Sequence, residues 1–150
     1  MTPTYGGRVQ TRFFTLLVIG GIWTLILMPF LSLTKPNGMS ASLGEKYQAG
    51  FIVLALVFIL GLVWDGIWYF LQQFRWEKDW PIMYQLLTGI PEGIAVWLVL
   101  KTRDVPGHPF LTGTVYDIQF ITVWIFTWLF AIGPMRVPFL RWRFRGGRLV

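Results

Sequence analysis

Four long apolar stretches, each nearly free of charged side chains, constrain this chain more than any other feature of its sequence. Each is long enough to cross a hydrocarbon core about 30 Å thick as an α-helix. Their approximate boundaries are 13–33, 51–71, 82–100 and 115–133. The linkers are too short to hold a soluble catalytic domain. We therefore expect an all-α integral membrane protein, with residues 1–150 forming one transmembrane domain of four helices in an up-down bundle.

The first two stretches carry further boundary signals. Arg8 and Arg12 precede the first stretch and small residues follow it at 40–42, which leaves a cleaved signal peptide as an alternative. The apolar run is, however, longer than the 7 to 15 residues or so that are typical of a signal peptide. Ser42 and Glu45 have the spacing of a capping box, which predicts that the second helix begins there.

The distribution of Lys and Arg predicts the orientation. Nine of the thirteen basic residues lie in the N-terminus, the 73–81 turn and the C-terminal tail, and four lie in the other two loops. Basic loops stay preferentially in the cytoplasm, so both termini are expected there. The strength of this asymmetry is typical of a bacterial cytoplasmic (inner) membrane protein.

Two carboxylates inside the predicted spans are the most informative positions. Asp65 in the second span and Glu92 in the third are costly in lipid and are expected to face protein or water. If these spans form an antiparallel hairpin, Asp65 lies level with Glu92, and Gln72 with Gln85. Each helix also gathers its polar residues on one face at steps of three and four. These two sets are Gly61, Asp65, Trp68 and Gln72, and Gln85, Thr88 and Glu92.

The third span contains signals for close packing around Glu92. Gly89 and Gly93 have the GxxxG spacing that lets another helix approach. Pro91 lacks an amide hydrogen and leaves a carbonyl without its helical partner. The third helix is therefore expected to be kinked or tightly packed at this point.

Two interpretations of the carboxylates stay open. If Asp65 and Glu92 meet, both cannot stay ionised in a low dielectric, and a shared proton is the expected state. No Lys, Arg or His lies inside a predicted span to complete a pathway. A protonated pair could join helices by hydrogen bonds. It could also relay protons or cations, which would require an oligomer, because four helices leave little room for a water-filled path.

The C-terminal tail, residues 136–150, is basic and aromatic. In an extended conformation its arginines would face one way and its rings the other, which suits lipid headgroups. A topology signal with a lipid anchor is one interpretation, and docking to an acidic partner is another; a dedicated nucleic-acid site is not expected. The predicted binding residues are Arg136, Arg141, Trp142, Arg143, Phe144, Arg145 and Arg148.

The chemistry of an enzyme is missing from this sequence. There is no cysteine, the single histidine, His108, lies in a predicted loop, and no metal or cofactor motif is present. We expect a non-enzymatic accessory, anchoring or scaffold subunit whose cytoplasmic face binds a larger assembly. Its expected partners are anionic lipid headgroups and either another protein or further copies of the chain. The alternative is an oligomeric proton- or cation-coupled transporter or channel that uses Glu92 and Asp65.

Overall fold

The computed structural model describes residues 4–35, 37–74, 86–102 and 111–137, without the side chain of Arg136. Within these ranges the regular structure is helical apart from one isolated bridge between Thr34 and Ser40. A π-helical segment, Thr15–Gly20, joins the first two helices, and short 3-10 turns lie at Met28–Phe30 and Pro134–Arg136. The α-helices are α1 (Tyr5–Phe14), α2 (Gly21–Leu27), α3 (Leu43–Gln72), α4 (Gly89–Thr102) and α5 (Gly113–Ile132).

Three helices in the described part of the chain are long and apolar enough to cross a membrane. They are Tyr5–Phe30, called here the N-terminal helix, together with α3 and α5, and they contain 26, 30 and 20 residues. α4 has 14 residues, and residues 82–85 at the start of the predicted third span lie outside the described ranges. The fourth span, the orientation and the side of each terminus therefore stay predictions.

The N-terminal helix begins earlier than the predicted boundary at residue 13. Thr4 caps it, because the Thr4 hydroxyl accepts a hydrogen bond from the Gly7 amide at 3.2 Å. The predicted start of α3 is confirmed: Ser42 and Glu45 form both bonds of a capping box. α5 ends at Ile132, shortly before Pro134, whose ring and missing amide hydrogen disfavour further helix.

The N-terminal helix packs antiparallel to α3. At one end Arg8 Nη2 donates to Gln72 Oε1 at 2.9 Å, and at the other end Tyr47 OH donates to the Leu25 carbonyl at 3.3 Å. Residue numbers therefore rise along one helix as they fall along its neighbour. This arrangement brings the first residues of the chain beside the last turns of α3.

α4 packs antiparallel to α5 through its two glycines. A Cβ atom at Gly89 would collide with the Trp124 ring, and one at Gly93 would collide with the Phe120 ring. Tyr116 OH donates to the Gly93 carbonyl at 2.7 Å. The close approach that the GxxxG spacing favours is thus made here against the aromatic rings of α5.

The π-helical segment turns both halves of the N-terminal helix toward α3. In an uninterrupted α-helix, Arg12 and Thr24 would point about 120° apart. The wider π turn accommodates one extra residue, which reduces the angle between the two side chains by about 100° and places them on nearly the same face of the helix. Thr24 is consequently fully buried beside Gly50 of α3, while Arg12 is directed at Asp65 of the same helix.

A buried glutamine joins three helices at the other end of this bundle. Gln119 Nε2 donates to the Gly50 carbonyl at 2.9 Å and to Thr24 Oγ1 at 3.4 Å. The apolar core between this level and the carboxylates includes Val53, Val57, Val96 and Val123. The two polar levels are therefore separated by packed aliphatic side chains.

Candidate functional site

Arg12 binds both carboxylates, Asp65 and Glu92, at once. Its Nε and Nη2 donate to the two oxygens of Asp65 at 2.7 and 3.1 Å. Its Nη1 and Nη2 donate to the two oxygens of Glu92 at 2.5 and 3.1 Å. We call Arg12, Asp65 and Glu92 the ion cluster. Because its members come from α1, α3 and α4, the ion cluster joins three helices through one guanidinium group.

A glycine makes room for the guanidinium on α3. Gly61 lies one turn before Asp65, and a Cβ atom built at Gly61 would collide with the guanidinium of Arg12. With no side chain there, the planar group lies directly against the helix backbone and still reaches the carboxylate one turn later. The local sequence thus supplies both the space and the acceptor.

Substitution of Gly61 by alanine is expected to displace the guanidinium and lower stability by about 1–3 kcal/mol, as overpacking does elsewhere. Gly66→Ala on the same helix is the matched control, because its Cβ would make an ordinary 3.8 Å contact with Tyr5. Alanine is also the better helix former, so this control should be neutral or stabilising by up to about 1 kcal/mol. Thermal unfolding in mild detergent measures both; equal effects of the two changes would contradict the close fit at Gly61.

The depth of the ion cluster explains why its charges are paired. At about 1.5 Å per residue, Asp65 lies about 11 Å from the midpoint of α3. If α3 is centred in the bilayer, that is inside a hydrocarbon half-thickness of about 15 Å. An unpaired charge at this depth is costly, whereas charge-assisted bidentate bonds satisfy donors and acceptors together. The side chains of Arg12, Asp65 and Glu92 are 18%, 10% and 8% exposed, respectively.

A second arginine balances the charge. Arg12 alone leaves one negative charge in excess when both carboxylates are ionised. Arg8 lies one turn earlier on the same helix face and interacts electrostatically with Asp65. The two arginines and two carboxylates together are neutral, so the group needs no additional ion to balance it.

The ion cluster differs from the proton-sharing pair expected from the sequence. By sequence alone, Arg12 is a flanking charge before the first span, and no basic side chain is expected inside one. In the structure the helix begins at Tyr5 and carries Arg12 inward to lie between Asp65 and Glu92. The sequence did contain a signal for this arrangement. Arg8 and Arg12 are four residues apart, on one face of a helix, and they lie at the same end of the bundle as the two carboxylates.

The other predicted site residues fall into three groups. Gln72 is buried and binds Arg8, one level beyond the ion cluster. The Thr88 carbonyl accepts a hydrogen bond from Trp64 Nε1 at 3.3 Å, and helix α4 begins at the next residue, shortly before Pro91. Arg136 is described only in its backbone. Outside the described residues lie Gln85, Arg141, Trp142, Arg143, Phe144, Arg145 and Arg148.

The arrangement is suited to holding helices together. Among the described residues, no group of three or more His, Cys, Asp or Glu side chains lies close enough to bind a metal ion. The carboxylate oxygens of Asp65 and Glu92 are instead used as acceptors for Arg12. A buried, hydrogen-bonded ion network of this kind restricts helix register and orientation, since few alternative packings satisfy every charge.

The comparisons with known proteins identify no relative of this chain. No protein-family model matches the sequence, and neither the comparison with curated proteins nor the comparison with solved structures gives a match. Function must therefore be argued from the residues and their geometry.

Proposed function

We propose that this chain is a non-enzymatic accessory or anchoring subunit of a larger membrane-associated assembly. In this proposal four spans cross a bacterial inner membrane, with both termini in the cytoplasm. The bundle serves as a rigid base, and the cytoplasmic segments bind the partner.

The pairing of Arg12 with both Asp65 and Glu92 is the observation that supports this proposal. A transporter that moves protons or cations needs an acidic group that can exchange its ion. Here four hydrogen bonds connect the two carboxylates to one guanidinium, and Arg8 balances the remaining charge. A network in which the charged groups are paired with one another favours a structural role over a role in moving ions.

The cytoplasmic face is proposed from the sequence. The sequence assigns to it the first twelve residues, the 73–81 turn and the 136–150 tail. Because Arg12 is bound in the ion cluster, the docking role depends on the turn and the tail, which hold seven of the thirteen basic residues. Most of the turn and tail lies outside the described residues. Their interleaved arginines and aromatic rings are the residue types enriched at protein interfaces, where they supply most of the binding energy.

Purification in a mild detergent tests the docking role. We expect a stoichiometric partner to accompany the intact chain and to be lost when residues 141–148 are deleted. A matched variant replaces Arg141, Arg143 and Arg145 by lysine, which keeps the charge for lipid anchoring but removes planar, bidentate pairing. Loss of the partner in both variants supports docking. A chain that purifies alone under gentle conditions, with its cytoplasmic segments intact, would contradict the proposal.

A second candidate function is proton or cation transport through an oligomer. The observation in its favour is that two carboxylates share one directly bound cation, Arg12. Ion flux in proteoliposomes decides between the candidates. The accessory role predicts flux no greater than in empty vesicles, whereas transport predicts flux that Glu92→Gln abolishes.

A further inference from the structure

Arg8 lies on a rim between the N-terminal helix and α3, one level beyond the ion cluster. Gln72 binds it, and Tyr69 lies three residues before Gln72 on the same side of α3. The Tyr5 and Tyr69 rings are 6.2 Å apart and 41% and 39% exposed. We call Tyr5, Arg8, Tyr69 and Gln72 the arginine rim.

The arginine rim lies at the depth of the lipid headgroups. At about 1.5 Å per residue, Arg8 is about 14 Å from the midpoint of the N-terminal helix, and Tyr69 is about 17 Å from that of α3. A hydrocarbon half-thickness is about 15 Å, so these side chains reach the interface. Tyrosine favours this layer because its ring is apolar and its hydroxyl is polar.

The described residues leave part of the hydrogen-bonding capacity of Arg8 unused. Its Nη2 donates to Gln72, but its Nε is buried and has no acceptor among the described residues. Arg12, by contrast, has a carboxylate oxygen at Nε and at both Nη atoms. A guanidinium group has five N–H donors in a planar fork that matches a phosphate, and a buried donor without an acceptor is unfavourable.

We infer that the arginine rim binds the phosphate of an anionic lipid headgroup. The lipid phosphate binds the partly exposed Arg8 guanidinium, the buried Gln72 side chain holds that group in place, and the exposed ring of Tyr69 flanks the headgroup. The site is separate from the C-terminal tail, and it does not depend on the proposed docking role.

Lipid-dependent thermal stability tests the inference. The intact chain in neutral detergent micelles is titrated with phosphatidylglycerol, and unfolding is followed by the fluorescence of its nine tryptophans. Phosphatidylcholine is the neutral control, and soluble glycerol phosphate separates a lipid site from a free-phosphate site. Arg8→Gln removes the guanidinium group, and Arg8→Lys keeps the positive charge without the planar set of N–H donors. Lys46→Gln, at the other end of the bundle, is the control for the loss of one positive charge.

We expect phosphatidylglycerol to raise the unfolding midpoint at a concentration at least tenfold lower for the intact chain than for Arg8→Gln. Arg8→Lys should fall between them, and it carries the test if Arg8→Gln does not fold. Lys46→Gln should match the intact chain. Equal responses of all the variants, or a glycerol phosphate response as large as that of the lipid, would overturn the inference.

Discussion

Replacing Arg12 with glutamine is expected to lower the stability of this chain by about 3–5 kcal/mol, the usual cost of removing one partner from a buried ion pair. Glutamine is too short to reach both carboxylates, so Asp65 and Glu92 lose the group that binds them. They would then face each other as adjacent acids in a low dielectric. The contact between α1, α3 and α4 should loosen first.

The loss is measured as the midpoint of thermal unfolding in mild detergent, which should fall by about 10 °C for a domain of this size. Lys46→Gln is the control, because Lys46 is a basic residue whose ammonium donates to the Pro29 carbonyl at the other end of the bundle. Cysteine labelling locates the damage, since the natural chain has no cysteine. A cysteine placed at Ile94, on the exposed side of α4, should react faster with a water-soluble maleimide in Arg12→Gln.

Replacing Glu92 with leucine is expected to have the second-largest effect, a loss of about 3 kcal/mol. It leaves Arg12 paired with Asp65 but takes away the acceptors of Nη1 and of one Nη2 bond. A buried donor deprived of its partner loses the full desolvation free energy, more so when it is charged. α4 also loses its only described polar link to the ion cluster.

Glu92→Gln is the informative companion to Glu92→Leu. Its amide oxygen can still accept from Arg12, Asp65 still balances the charge of Arg12, and the one charge in excess is that of Arg8, which is bound to Gln72 beyond the ion cluster. We expect its unfolding midpoint to lie within a few degrees of the natural chain. If Glu92→Gln were as destabilised as Glu92→Leu, the charge of Glu92 would matter more than its hydrogen bonds.

Much of the fold could be predicted because lipid imposes simple rules. Apolar length identified three helices that are long and apolar enough to cross a membrane in the structure, and the Ser42–Glu45 spacing located the start of α3. The register of an antiparallel hairpin placed Asp65 level with Glu92, and the structure brings both to the same guanidinium. These are local or one-dimensional properties of a sequence.

The position of Arg12 could not be found by the same rules. A prediction from hydropathy ends a span at the first charged residue. The helix itself continues as long as its backbone hydrogen bonds are made and its polar side chains have partners. Among the described residues, the acceptors of the Arg12 side chain are Asp65 and Glu92, which lie 53 and 80 positions away along the chain. The π-helical turn that directs Thr24 and Arg12 to the same neighbour likewise has no distinct composition.

The two polar levels, one at the ion cluster and one at Gln119, explain how the helices of the bundle keep a single packing arrangement. The ion cluster joins the N-terminal helix, α3 and α4 at one end, and Gln119 joins the N-terminal helix, α3 and α5 at the other. Between helices in lipid the hydrophobic effect gives little specificity, so polar contacts and close packing must define the register. Two such levels at different heights oppose both sliding and rotation of α3.

The central claim is that Arg12, Asp65 and Glu92 act as one mutually satisfied unit, and simultaneous replacement tests it most directly. The unfolding midpoint of Arg12→Met is compared with that of the triple variant Arg12→Met, Asp65→Val and Glu92→Leu. Removing these three charges leaves no unpaired carboxylate, and Arg8 keeps its bond to Gln72, so the triple variant should recover most of the stability that Arg12→Met loses. A triple variant no more stable than Arg12→Met would contradict the account, because the carboxylates would then not depend on Arg12.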